Sequence, residues 1–402
     1  MRRLSSVSLV LAALVSFQSL SIAGTPIPFR LGNEWGFANS RGDIVIKPVY
    51  QYVDKFFNGY ARVEAGEKYG LVNPKGGLVI PAEYQNVQDV FEGLAAIETD
   101  GRWGFADVSG RVVVNPVYDE VSRFSDGRAA VRKGNLWGYV DRLGRLAIPL
   151  SFSSALPFNH GLAGVFKGKK GGFIDRDGNE SVSLVYDEIP LRYEDVFAEG
   201  LSAIEKGGFW GFVDPKGRVV IPTIFDFVYA FSEGRAGFKE GFRCGYIDRS
   251  GKIIVKPIYD GVYPFRDGIA CVRNSALFGF IDKEGRPITK TVYEEAGFFS
   301  DGRARVALNG KFGYISTSGK IVIPLTYDGA DDFHEGLAAV RKGGRWGFID
   351  ARGKTVVPFR YDSATMFDGG IALVRYRGRF GYVGSNGEEY WKDSDSSAHK
   401  KR

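Results

Sequence analysis

The stretch Trp103–Tyr118, WGFADVSGRVVVNPVY, returns as WGFIDARGKTVVPFRY at Trp346–Tyr361. Working outward, an aromatic–Gly pair starts at Trp35, Tyr69, Trp103, Trp137, Trp210, Phe278, Phe312, Trp346 and Phe380. Gly171-Gly172 and Cys244-Gly245 fill the two gaps. Successive starts lie 34 residues apart, except for the step of 39 from Gly171 to Trp210, so eleven starts carry one five-residue insertion. Self-similarity at a fixed period of this length marks a repeat architecture. Counted from each start as zero, glycine recurs at +1, +7 and +24, and an aromatic, mostly Tyr, at +15.

A 34-residue period also belongs to paired-helix repeats, so content decides. Each unit carries three short β-type runs: the aromatic–Gly run, a second such as Arg111-Val112-Val113-Val114, and a third such as Leu337-Ala338-Ala339-Val340. Asn73-Pro74-Lys75-Gly76 and Asp214-Pro215-Lys216-Gly217 separate the first two. There the Asx side chain accepts backbone N–H groups, Pro presets φ, and Gly supplies a left-handed residue. Helices do not survive two or three such breakers per unit. The +1 glycine predicts a bare patch of backbone on which neighbouring rings stack into a ladder from unit to unit.

Composition agrees. The 402 residues include 54 Gly, 31 Phe, 20 Tyr and 6 Trp, are 44% hydrophobic, and carry a formal net charge of +6. Abundant aromatics exclude collagen, and the hydrophobic share with modest charge excludes disorder. Two cysteines exclude a disulfide framework or an all-cysteine zinc site. The mild basic excess does not argue for nucleic acid.

Arg2 and Arg3 precede an apolar run to about Leu20, and Ser21-Ile22-Ala23 offers a small–x–small cleavage pattern before Gly24. The expected organisation is a cleaved secretory signal over 1–23, a repeat array over 24–391 and a disordered polar tail over 392–402. It places the mature chain outside the cytoplasm, secreted or periplasmic, with no transmembrane segment after signal removal.

The recurring pattern W-G-[FY]-[IV]-D-x-x-G-[KR], V-[IV]-x-P-x-Y-D, F-x-[DE]-G-x-A-x-V resembles the WG-repeat (KWG) family. It is carried by Trp103-Gly104-Phe105-Ala106-Asp107 and Trp346-Gly347-Phe348-Ile349-Asp350 among others. The resemblance implies a β-rich, mostly bacterial repeat protein without an established general activity, and the sequence departs from it at Gly171 and Cys244. Since propeller blades usually hold four strands in 40 or more residues and number 4–8, the expected fold is all-β, an open β-solenoid or twisted superhelix of about eleven three-stranded units; a closed propeller-like ring is the alternative.

Chemistry is sparse. There is no HExxH, GxSxG or CxxC. Gly347 to Thr355 mimics a phosphate loop but has the wrong spacing and leads into a strand. No enzyme, cofactor or metal site is expected; the Asp recurring at +4 reads as turn chemistry rather than a calcium ladder. A basic residue recurs at +8 (Arg111, Arg145, Arg218, Lys252, Arg286, Lys320, Lys354), a ridge that suits an anionic polymer. The insertion within Glu188–Asp195 marks a loop on one face, with Leu191, Arg192 and Tyr193 as candidate anchors. Cys244 and Cys271 are able to pair only if their Cα atoms fall within about 7 Å. The expected function is a non-catalytic exported scaffold that binds another protein through an extended β surface; the alternative is a module for an anionic or glycan polymer of the cell envelope.

Overall fold

The computed structural model describes residues 24–190 and 196–393. These residues form eleven sheets, antiparallel but for one pairing, arranged as the blades of a closed β-propeller, not as the open solenoid expected from the repeat. The finding that overturns the solenoid is the meeting of the two ends. Strand Ile27–Leu31 pairs in parallel with Trp391–Lys392, with Arg30 opposite Trp391 and Leu31 opposite Lys392. Gly32 N donates to Lys392 O at 2.8 Å, and Arg30 N to Tyr390 O at 3.2 Å. Phe29 and Ala38 near the start share one buried cluster with Ile371, Tyr382 and Tyr390 near the end.

Blade and sequence unit are out of phase. A typical blade takes a two-residue strand (Glu120–Val121) and a six-residue strand (Arg128–Lys133) from one unit. The next unit supplies Leu136–Asp141 and Leu146–Phe152. The first blade therefore lacks its short strand until the C-terminus supplies it, which closes the ring. Sequence shows three runs per unit because the fourth strand is only two residues long, too short for an alternating pattern.

Glycine at +1 is required by close approach, though not for the reason expected. A bulge shifts the register between the second long strand and the last, as where Trp346 faces Tyr361 but Phe348 faces Val357. The bulged backbone crosses over the glycine, so a Cβ on Gly347 would lie 2.7 Å from Val357 O and 2.9 Å from Phe359 N. Among the described residues no ring contact joins the starting aromatics of consecutive units. The ring pairs that recur join +2 to +21, as Phe105–Phe124 and Tyr139–Phe158, with nine such pairs at centroid distances of 4.7–5.3 Å. Each links one blade to the next, inside clusters such as Phe105, Val114, Phe124, Ala129, Val131 and Val140. Alanine at +26, from Ala61 to Ala372, lets adjacent sheets come close; only Ser202 departs from it.

Candidate functional site

The turn after the aromatic–Gly strand places the recurring Asp and the basic residue side by side. Asp214 Oδ1 accepts the N–H groups of Lys216 (3.0 Å) and Arg218 (2.9 Å), while its Oδ2 pairs with Arg218 Nε at 3.1 Å. Arg111, Arg145 and Arg286 pair with Asp107, Asp141 and Asp282 in the same way. Four of the seven basic residues thus stand in the surface beside a neutralising carboxylate of their own turn. At Lys252 and Lys354 the backbone N–H is held by Asp248 and Asp350, and the carbonyls of Lys252, Lys320 and Lys354 accept the N–H groups of Asp248, Ser316 and Asp350. These bonds hold the carboxylates below their ordinary range: Asp107 is brought down to about 2, first by the Ser109 hydroxyl and then by the N–H groups of Ser109 and Arg111.

Acids that precede the +24 glycine are latches between blades. Each lies in the left-handed region, as Glu92 at φ 52° and Asp126 at φ 54°. Among the described residues, Glu92, Asp126, Glu199, Glu233, Asp301 and Glu335 reach the glycine of the following blade: Gly161 N donates to Asp126 (2.6 Å), Gly268 N to Glu233 (2.9 Å) and Gly336 N to Asp301 (2.8 Å). Among the described residues, no group of three His, Cys, Asp or Glu side chains is arranged to hold a metal ion. Cys244 and Cys271 are free and buried. Leu191, Arg192 and Tyr193 lie outside the described residues, as do residues 1–23, where a signal is expected, and residues 394–402. The missing aromatic at Gly171 is compensated locally: the Phe166 ring occupies the space where a Cβ on Gly171 would stand.

Two features escaped the sequence reading. The last strand of most sheets exposes apolar side chains at +9 and +14. At +9 these are Ile44, Leu78, Val112, Leu146, Val219, Ile253 and Ile321, 39–54% exposed; at +14 they are Val49, Val117, Val185, Ile224 and Ile258, 42–63% exposed. This strand has no partner on its far side, yet Pro48, Pro81, Pro116, Pro149 and their equivalents, together with the bulge, prevent another strand from adding to it. It therefore offers side chains rather than backbone. The alternation along the Leu78–Tyr84 type of strand was visible in sequence, but which apolar face lay outside depended on the bulge. The second feature is a polar cleft where +19 and +20 of consecutive units converge.

Among the described residues no helix is long and apolar enough to cross a membrane. No curated protein matches the sequence. Solved structures with detectable likeness include the crystal structure of the eukaryotic initiation factor, at 11% identity, covering 82% of this chain and 93% of that one, with a TM-score of 0.47. Another is the extracellular domain of a putative hybrid two component system from B. thetaiotaomicron, at 12% identity, covering 93% and 70%, with a TM-score of 0.29. The WG containing repeat matches ten segments between residues 35 and 380. Segment boundaries skip Gly171 and Cys244, the two starts without an aromatic. The repeat, the glycine under the bulge and the matched segments coincide over nearly all of the described ring, and the chain belongs to the WG-repeat family.

Proposed function

We propose that the protein is an exported, non-catalytic scaffold that binds another protein through the apolar side chains on the last strand of its blades. The observation that carries this reading is the recurrence of exposed Val, Ile and Leu at +9 and +14 in blade after blade. Single exposed apolar residues are ordinary, but a column of them repeated around one ring is a contact surface. The polymer reading draws less support, because the guanidiniums of Arg111, Arg145, Arg218 and Arg286 are already paired.

The test is site-specific photo-crosslinking in the source cells, with a photoreactive residue at Ile224 or Val117 and, as control, at Lys216 on the turn. A discrete protein adduct at the first two positions, absent at Lys216 and insensitive to added salt, is the expected result. Adducts of equal yield at all three positions, or none, would refute the reading; adducts dispersed by salt would return the polymer alternative. N-terminal sequencing of the exported product, expected to begin at Gly24, checks the leader.

A further inference from the structure

Offset +27 lies on the strand of five or six residues that precedes the aromatic–Gly strand and faces the +19 residue of the short-strand segment. It holds Ala, Gly or Cys in seven units, as at Ala96 and Ala130, so that blades pack closely. At Arg62 the small residue is replaced by a long cation. Its guanidinium is held on several sides: Nε donates to Asp54 Oδ2 at 2.8 Å, Nη1 to Asn86 Oδ1 at 3.3 Å, and the group lies 5.4 Å from the Tyr69 ring centre. Beside it opens a cleft of about 510 Å³ built from four consecutive blades. Its polar lining is Asp54, Arg62, Gln88, Asp89, Ser122 and Arg123; Val87, Phe91 and Pro157 supply apolar surface. Ser122 is fixed by accepting Ala130 N at 2.9 Å, and the Arg123 guanidinium lies 4.8 Å from the Phe91 ring centre.

Two carboxylates and two guanidiniums share this cleft, so their formal charges cancel and neither an anion nor a cation gains from the site as a whole. What remains is a dense set of planar donors and acceptors on positioned side chains, beside a small apolar wall. Adjacent hydroxyl groups on a ring match paired donor and acceptor atoms of this kind, and the C–H face of the ring matches the apolar wall. We propose that the cleft is a binding site for a neutral oligosaccharide. It involves none of the +9 or +14 positions and stands or falls independently of the protein-docking surface.

The test uses the full exported chain and saturation-transfer NMR with cellotriose, maltotriose and triacetylchitotriose as probes. Transfer to at least one trisaccharide is expected. Gln88→Ala combined with Asp89→Asn changes two exposed side chains and is expected to weaken that binding about tenfold or more, the loss typical of hydrogen bonds to a charged group, with the unfolding temperature unchanged. Arg305→Ala, in the same column but remote from the cleft, is expected to leave binding as it was. No transfer from any of the three sugars, or equal binding by the double variant, would overturn the proposal. So would competition by tetralysine or tetraglutamate, which would make the cleft a dock for a charged peptide.

Discussion

Removing Trp391 tests whether the ring is held shut by the contacts between its ends. Trp391 is 9% exposed and packs with Tyr361, Phe367, Ala372 and Val374. Arg30, 5% exposed, donates through Nε to Phe380 O at 2.7 Å, and its Nη2 pairs with Asp393 at 3.0 Å. Lys55 and Asp368 form a further ion pair across the junction. Truncating a buried Trp to Ala removes about 3–5 kcal/mol, and Arg30→Met, which forfeits hydrogen bonds from a charged donor, about 1.5–3 kcal/mol. The two residues sit opposite each other, so the double variant should lose less than the sum. With an unfolding entropy of about 2.1 cal/mol/K per residue over roughly 370 residues, 4 kcal/mol lowers the Tm by about 5 °C. The assay is thermal unfolding with small-angle scattering on Trp391→Ala, Arg30→Met and the double variant. In a closed ring all three lower the Tm and the double variant increases the maximum dimension as the ends part. In an open array the same changes fray only terminal units, since each repeat depends on its neighbours alone. A Tm and maximum dimension unchanged in the double variant would refute closure.

Ser202 is fully buried and its Oγ has no hydrogen-bond partner, where the other units carry alanine; Ser202→Ala should raise stability by about 1–3 kcal/mol in urea unfolding, and any loss contradicts the assignment. Gly347→Ala forces a Cβ onto the Val357 carbonyl and should lower stability by about 1–3 kcal/mol, whereas a neutral result would mean that the bulge yields. The turn carboxylates have folded pKa values below the unfolded 3.9, Asp107 at about 2 and Asp214 lowered first by the Arg218 N–H. Their contribution is complete above about pH 4 and is lost as pH falls through the folded values, so Tm measured from pH 7 to pH 2 should fall in that acid window. Burial pushes the Cys271 thiol up to about 12 and raises that of Cys244, so a thiol reagent at mildly alkaline pH should label neither in the native protein and both in denaturant.

Much of the local structure was legible. The Asx turn at +4 could be read from Asp214-Pro215-Lys216-Gly217 because a side-chain oxygen, a fixed φ and a left-handed glycine act within five residues. The +15 aromatics, evident in sequence as a column, include the buried Tyr84, Phe152, Tyr186 and Tyr361. The +1 glycine was recognised as special, but its partner was misassigned: the intruding group is a carbonyl 10 residues further on, displaced by a bulge that leaves no residue-level mark beyond the proline near it. The acids at +23 carry no local mark of their role, because most of them bond the glycine N–H of the next blade about 35 residues away. Of the cleft, only the anomaly of Arg62 among small residues was present in the sequence.

The sequence alone determined the period, the strands, the turns and the family, because each follows from chemistry within one unit of 34 residues. It left open whether those units run on or come round. That was decided by the angle at which successive sheets pack, set by small residues at +26 and ring pairs at +2 and +21, and by the half-unit offset that leaves Ile27–Leu31 without its short strand until Trp391–Lys392 arrives. Closure, the outward face of the last strand and the meeting of Asp54, Arg62, Asp89 and Arg123 in one cleft are products of distance in space rather than along the chain.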